Sequence, residues 1–115
     1  MYDRHLIGRT VEREVESRGS WTAFAKDSGV SRATLARVRD ADERVSVQIM
    51  RQIERALSLP FDTFQAIAVH DFQGLREIGV EEGLVRWVER ESTVYSASDA
   101  PTTRRTRSTR DTSQG

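Results

Sequence analysis

Trp21-Thr22-Ala23-Phe24-Ala25-Lys26-Asp27-Ser28-Gly29-Val30-Ser31-Arg32-Ala33-Thr34-Leu35-Ala36-Arg37-Val38 reads as two short helices joined by a tight turn. Ser20 is an N-cap for a helix over Trp21–Ser28, Gly29 stops it, and Ser31 caps a second helix over Arg32–Arg39. Two such helices cross at a large angle with their backbones close together. That geometry needs a small residue facing the second helix, which Ala25 supplies, and a turn residue tolerant of positive φ, which is Gly29. Phe24, Val30, Leu35 and Val38 are the residues expected to fill the wedge between them. Ser31 then leaves the amino end of the second helix pointing outward, its free N–H groups suited to a phosphate or a base edge.

The pattern on either side is also helical. Leu6, Ile7, Val11 and Val15 recur at three- and four-residue spacings and predict an amphipathic helix from about Asp3 to Ser17, ended by Gly19. Residues 40–44 are polar and aperiodic and read as a loop. Ser46 caps a helix over Val47–Leu57, with Val47, Met50, Ile53 and Leu57 on one face, and Pro60 opens another through Phe61, Phe64, Ile67 and Ala68. Gly74 and Gly79 interrupt the pattern. Val80, Leu84, Trp87 and Val88 then mark a last helix ending near Glu91, in which Gly83 costs about 1 kcal/mol relative to alanine. From Ser96 onward no large apolar residue remains, so 96–115 is expected to be a disordered tail rich in Arg, Ser and Thr. The expected fold is all-α, without repeats. Residues 1–69 are expected to form one domain of five helices, and 70–95 a C-terminal helical extension of one or two more.

Composition narrows the function classes. The chain of 115 residues has no cysteine, which removes disulfides, thiolate metal sites and cysteine nucleophiles. Its two histidines, His5 and His70, are too far apart in sequence to suggest a metal cage. No run approaches the roughly 18–20 apolar residues of a membrane span, and the start lacks a secretory layout, so a cytoplasmic protein is expected. The net charge of zero hides an uneven distribution: residues 1–58 carry +2, 59–95 carry −4 and 96–115 carry +2. The basic residues are 17 arginines and one lysine, Lys26. That bias is first a signature of a GC-rich genome, although arginine's planar fork also suits phosphate and guanine.

The block from Phe24 to Leu35 resembles the helix-turn-helix of the lambda-repressor/Cro-like family. Phe24-Ala25, Gly29-Val30-Ser31 and Leu35 match that family's pattern, and Ser46-Val47, Ala56-Leu57 and Pro60 resemble its fourth helix and the start of its fifth. The resemblance covers about residues 5–68. Ser28 departs from it, standing where an apolar residue is usual; it either loosens the turn or caps the last carbonyls of the first helix. The long polar loop before Ser46 is a second departure.

The resemblance implies that Arg32–Arg39 enters the major groove of double-stranded DNA and that its outer face selects sequence. With Leu35 and Val38 turned inward, Arg32, Ala33, Ala36 and Arg37 face outward as base readers. Arg32 is placed for guanine O6 and N7, and Ala33 for a thymine methyl. Ser20, Thr22, Ser31, Thr34, Arg39 and Arg44 are the phosphate candidates. Each has a plainer role: surface arginines are ordinarily solvated or paired, and the serines are helix caps worth about 1 kcal/mol. Trp21 is expected to pack on the first helix rather than stack on DNA.

Phe72, Leu75, Leu84, Trp87 and Val88 make the acidic C-terminal third apolar as well. They are either extra core or a dimer or partner surface, and a homodimer on a near-palindromic operator is expected to use them. Arg104, Arg105, Arg107 and Arg110 of the tail are inert or track phosphates. The leading function is a transcriptional repressor of phage or prophage type. The alternative is an antitoxin that autoregulates its operon and binds a toxin through residues 60–95. No cofactor, metal or small-molecule ligand is called for. His70-Asp71 is a poor acid/base pair, since helix neighbours point about 100° apart, and no nucleophile or phosphate-loop motif accompanies it. An enzyme is not expected.

Overall fold

The computed structural model describes residues 2–99, with side chains over 2–94. Among the described residues there are seven helices and no strand: α1 Arg4–Arg18, α2 Trp21–Ser28, α3 Arg32–Arg39, α4 Val47–Ala56, α5 Thr63–Ala68, α6 Phe72–Glu77 and α7 Glu82–Asp99. None is long and apolar enough to cross a membrane.

Helix α1 is the central element and touches α2, α3, α5 and α7. Its stripe of Leu6, Ile7, Val11 and Val15 is wholly buried, and the hydroxyl of Thr10, buried among them, donates to Leu6 O at 2.8 Å. Asp3 fixes where the helix begins. Its Oδ1 accepts from Leu6 N at 3.0 Å, its own N–H donates to Ala68 O at 2.7 Å, and Oδ2 lies 2.7 Å from His70 Nε2. One residue therefore ties α1 to the turn between α5 and α6.

Gly8 sits in α1 against the last turn of α3. A Cβ built there would lie 2.6 Å from Arg39 O and 2.8 Å from Val38 O. Only glycine lets the two backbones come this close, so the seat of α3 depends on it.

The fifth helix starts at Thr63, not at Pro60 as the proline suggested. Pro60 instead opens a turn: its carbonyl accepts from Thr63 N at 3.2 Å and Thr63 Oγ1 at 2.6 Å, and Asp62 takes a left-handed φ of 73°. Asp62 makes no side-chain cap, being held by Arg51 at 2.9 Å. The cap comes from elsewhere. Glu54, 3% exposed, accepts from Phe64 N at 2.9 Å, a distant carboxylate serving the free N–H groups of α5.

Beyond His70 the chain forms two helices, the upper end of the one or two expected. A separate helix, α6, spans Gly74, because Asp71 caps it by accepting from Gly74 N at 2.9 Å and Leu75 anchors it in the core. Gly79, at φ 95°, separates it from α7. Helix α7 does not stop near Glu91 but runs to Asp99, so 96–99 are helical rather than tail; 100–115, with Arg104, Arg105, Arg107 and Arg110, lie outside the described residues.

The expectation of a dimer surface on Phe72, Leu75, Leu84, Trp87 and Val88 is corrected for Leu75, Leu84 and Val88. Leu75, Leu84 and Val88 are 0%, 3% and 0% exposed, members of the same core as α1, while Phe72 and Trp87 are half-buried against it. The physical reason is that α7 lies on α1. Arg13 covers the Trp87 ring at 5.3 Å, Arg9 pairs with Glu91 at 2.5 Å, and Arg76 holds Glu82 and Glu89 at 2.8 and 3.1 Å. The extra-core alternative is the one observed for Leu75, Leu84 and Val88.

Candidate nucleic-acid interface

Helices α2 and α3 have the bounds read from the sequence, and each cap works as its residue type requires. Ser20 Oγ accepts from Ala23 N at 3.0 Å and Ser31 Oγ from Thr34 N at 3.1 Å. Gly29 takes the left-handed φ of 74° and its N–H reaches Ala25 O at 3.0 Å. Phe24, Val30, Leu35 and Val38 are buried, with Ala25 half-buried beside them.

Ser28 settles as a cap. Its hydroxyl, 8% exposed, donates to Ala25 O at 3.4 Å and accepts from Val30 N at 3.2 Å, bridging the turn. Its carbonyl accepts from Gln52 Nε2 of α4 at 2.7 Å. Gln52, which the sequence did not single out, clamps the motif's turn to α4. A side chain at position 29 would meet that amide at 3.1 Å and be strained by the positive φ as well. Gly29→Val is therefore expected to lower stability by about 1–3 kcal/mol. Chemical denaturation checks this, and an unchanged midpoint would contradict the role given to the turn.

The outer face of α3 carries Arg32, Ala33 and Arg37 in solvent, whereas Ala36 is half-buried and presents only part of its methyl. Arg32 leans back across the motif, its Nη1 donating to Thr22 Oγ1 at 3.0 Å, which holds the guanidinium beside the amino end of α2. The side chain of Arg37 makes no hydrogen bond or ion pair among the described residues. Ser31 donates to Thr34 Oγ1 at 2.9 Å, so Ser31 and Thr34 satisfy one another at the amino end of α3.

The flanking cations are engaged internally. Arg39 lies over the Trp21 ring at 5.6 Å and 3.5 Å from Asp40, while Trp21 packs against the core. Arg44 donates to Asp42 through Nε at 3.0 Å and Nη2 at 2.7 Å. Those hydrogen bonds, with that from the Arg44 N–H, hold the Asp42 carboxyl well below the usual carboxylate range and raise the Arg44 guanidinium above its ordinary value. Thr34, Arg37, Arg44, Val45, Ser46 and Ile49 line one surface concavity between α3 and the start of α4.

The structure thus brings Ser20, Thr22, Ser31, Arg32, Ala33 and Arg37 to the ends and outer face of the α2–α3 pair, with Thr34, Arg37 and Arg44 around the neighbouring cleft. Such a surface can donate hydrogen bonds from two guanidinium forks, several hydroxyls and the amino end of an eight-residue helix. Among the described residues no group of histidine, aspartate and glutamate side chains could hold a metal ion. No family model, no curated protein and no solved structure matches this chain.

Proposed function

We propose that α2 and α3 form a helix-turn-helix of the lambda-repressor/Cro-like type and that the protein is a sequence-specific transcriptional repressor reading the major groove of double-stranded DNA with α3. One observation carries this reading. Helix α3 buries Leu35 and Val38 and leaves Arg32, Ala33 and Arg37 exposed on a helix seated rigidly by Gly8, Gln52 and the Gly29 turn. A helix held on one side and offering planar, bidentate donors on the other is suited to base edges.

The reading includes a homodimer on a near-palindromic operator, since one recognition helix reads few base pairs against about 10⁶ or more competing sites. With Leu75, Leu84 and Val88 in the core, the large apolar side chains left exposed after Pro60 among the described residues are Phe61, Val69, Ile78 and Val94.

The experiment is equilibrium binding to duplexes selected from a random pool. Arg32→Ala is expected to weaken binding to the selected duplex by about 1–3 kcal/mol and to relax preference at one base position, with a smaller loss on random DNA. Equal losses on both would reduce Arg32 to a phosphate contact.

A further inference from the structure

The loop joining α3 to α4 carries Asp40, Asp42 and Glu43 directly behind a face proposed to meet a polyanion. Acidic residues there ought to weaken DNA binding, yet one of them is built into the structure. Asp42 N donates to Arg37 O at 2.9 Å and Asp42 O accepts from Val45 N at 3.3 Å, which pins the residue to the last turn of α3. Its side chain is 17% exposed, whereas that of its partner Arg44 is 82% exposed. The carboxylate takes Nε and Nη2 of Arg44, the two-point geometry by which a guanidinium also grips a phosphate. Its Oδ1 also accepts from Arg44 N at 2.9 Å.

We infer that Asp42 is a positioning residue for Arg44: its carboxylate stands in for a DNA phosphate on Arg44, so that Arg44 joins the interface only when docking at a selected site displaces it. This rests on the reading of α2–α3 as a DNA-binding motif. On random DNA the exchange of Asp42 for phosphate is nearly balanced, and Arg44 adds little. At a selected site the base contacts of α3 hold the backbone against the concavity of Thr34, Arg37, Arg44 and Ser46, and the exchange is driven forward. Asp42 thus keeps Arg44 out of sequence-independent binding, and at a selected site the cost of parting the pair is subtracted from the affinity. The repulsion between the bared carboxylate and phosphate adds to that cost.

The test uses the full chain with two 20-base-pair duplexes, one of random sequence and one selected from a pool, titrated over a range of salt. Asp42→Asn keeps an acceptor for the Arg44 N–H while removing the charge, and Asp42→Ser does the same with a hydroxyl. Glu43→Gln makes an equal change of net charge on an exposed neighbour. Both Asp42 variants are expected to bind random DNA roughly two- to five-fold more tightly, the range of an exposed ion pair. On random DNA their log–log salt dependence should steepen by about 0.9, one phosphate contact, while on the selected duplex, where Arg44 is already engaged, the slope should stay and the affinity should rise by at least as much. Glu43→Gln should leave the slope as it is, and Asp42→Asn combined with Arg44→Gln should restore the original slope. Asp42 variants with an unchanged slope on random DNA, or no different from Glu43→Gln, would overturn the inference while leaving the DNA reading intact. A wild-type chain that binds neither duplex would overturn the DNA reading and this inference together.

Discussion

Leu75→Ala is expected to destabilise the whole helical unit by about 2–5 kcal/mol, the range for emptying a fully packed leucine site. Leu75 is 0% exposed and anchors α6 between α5 and α7, in the same core as Leu6, Ile7 and Val11 of α1. A short helix of six residues has almost no stability of its own, so its loss loosens α7 and uncovers one side of α1. For a domain of this size each kcal/mol corresponds to roughly 4–8 °C in Tm. A fall of well over 8 °C in a single cooperative melt, followed by far-ultraviolet circular dichroism, is the expected result. A variant that kept the wild-type midpoint, or a separate early transition for the C-terminal helices alone, would show that residues 70–94 are an appendage and not part of the core.

Gly8→Val should be nearly as costly, for a different reason. Glycine inside α1 is an intrinsic handicap: valine recovers a few tenths of a kcal/mol of helix propensity and alanine about 1 kcal/mol. Sterics oppose that gain. The first added carbon would sit 2.6 Å from Arg39 O and 2.8 Å from Val38 O, both backbone atoms that no rotamer change can move. Overpacking of this kind costs about 1–3 kcal/mol, and two further methyl groups place valine at the upper end, about 3 kcal/mol. Gly8→Ala, in which propensity offsets part of the clash, should fall between wild type and valine. Because the displaced element is α3, the alanine variant should also lose affinity for a selected duplex out of proportion to its loss of stability. Stability and binding that both rose in Gly8→Ala would mean that α1 and α3 are not in the contact described.

What could be read in advance follows from where the determining interactions lie. The bounds of α2 and α3 are written in adjacent residues: Ser20, Gly29 and Ser31 act within three or four positions of themselves, so their sequence is their structure. The burial of Phe24, Val30, Leu35 and Val38 follows from helical spacing alone. Gly8 was invisible because its partners are some thirty residues away, and a glycine in a helix pattern signals only a cost. Glu54 was hidden likewise, since a carboxylate that caps a helix ten residues on looks like any surface glutamate. Whether one helix or two follows residue 69 stays open in the sequence because Gly74 argues against α6, while the compensating Asp71 cap and the Leu75 anchor act through a tertiary core. The apolar residues of 72–88 were legible as apolar but not as covered. Which of two amphipathic faces meets the other is decided by pairs such as Arg13 with Trp87 and Arg9 with Glu91, which no local pattern contains.

In the candidate interface the residue types were legible and their pairing was not. Arg32, Arg37, Arg39 and Arg44 read alike in sequence as surface cations. In the structure Arg32 rests on Thr22, Arg39 on Trp21 and Asp40, and Arg44 on Asp42, while the Arg37 side chain makes no hydrogen bond or ion pair among the described residues. Those differences decide which arginine is ready to meet a base and which must first exchange a partner.

The central claim is that the ends of α2 and the outer face of α3 meet DNA. Mapping backbone amide shifts by nuclear magnetic resonance, during titration of the labelled full chain with a selected duplex, tests it most directly. The account predicts that the amides of 20–22, 31–37 and 42–46 move together with a common saturation point, while those of α6 stay in place. Shifts gathered on α5 and α6 with α3 unmoved, or no shifts at a saturating concentration of duplex, would contradict it.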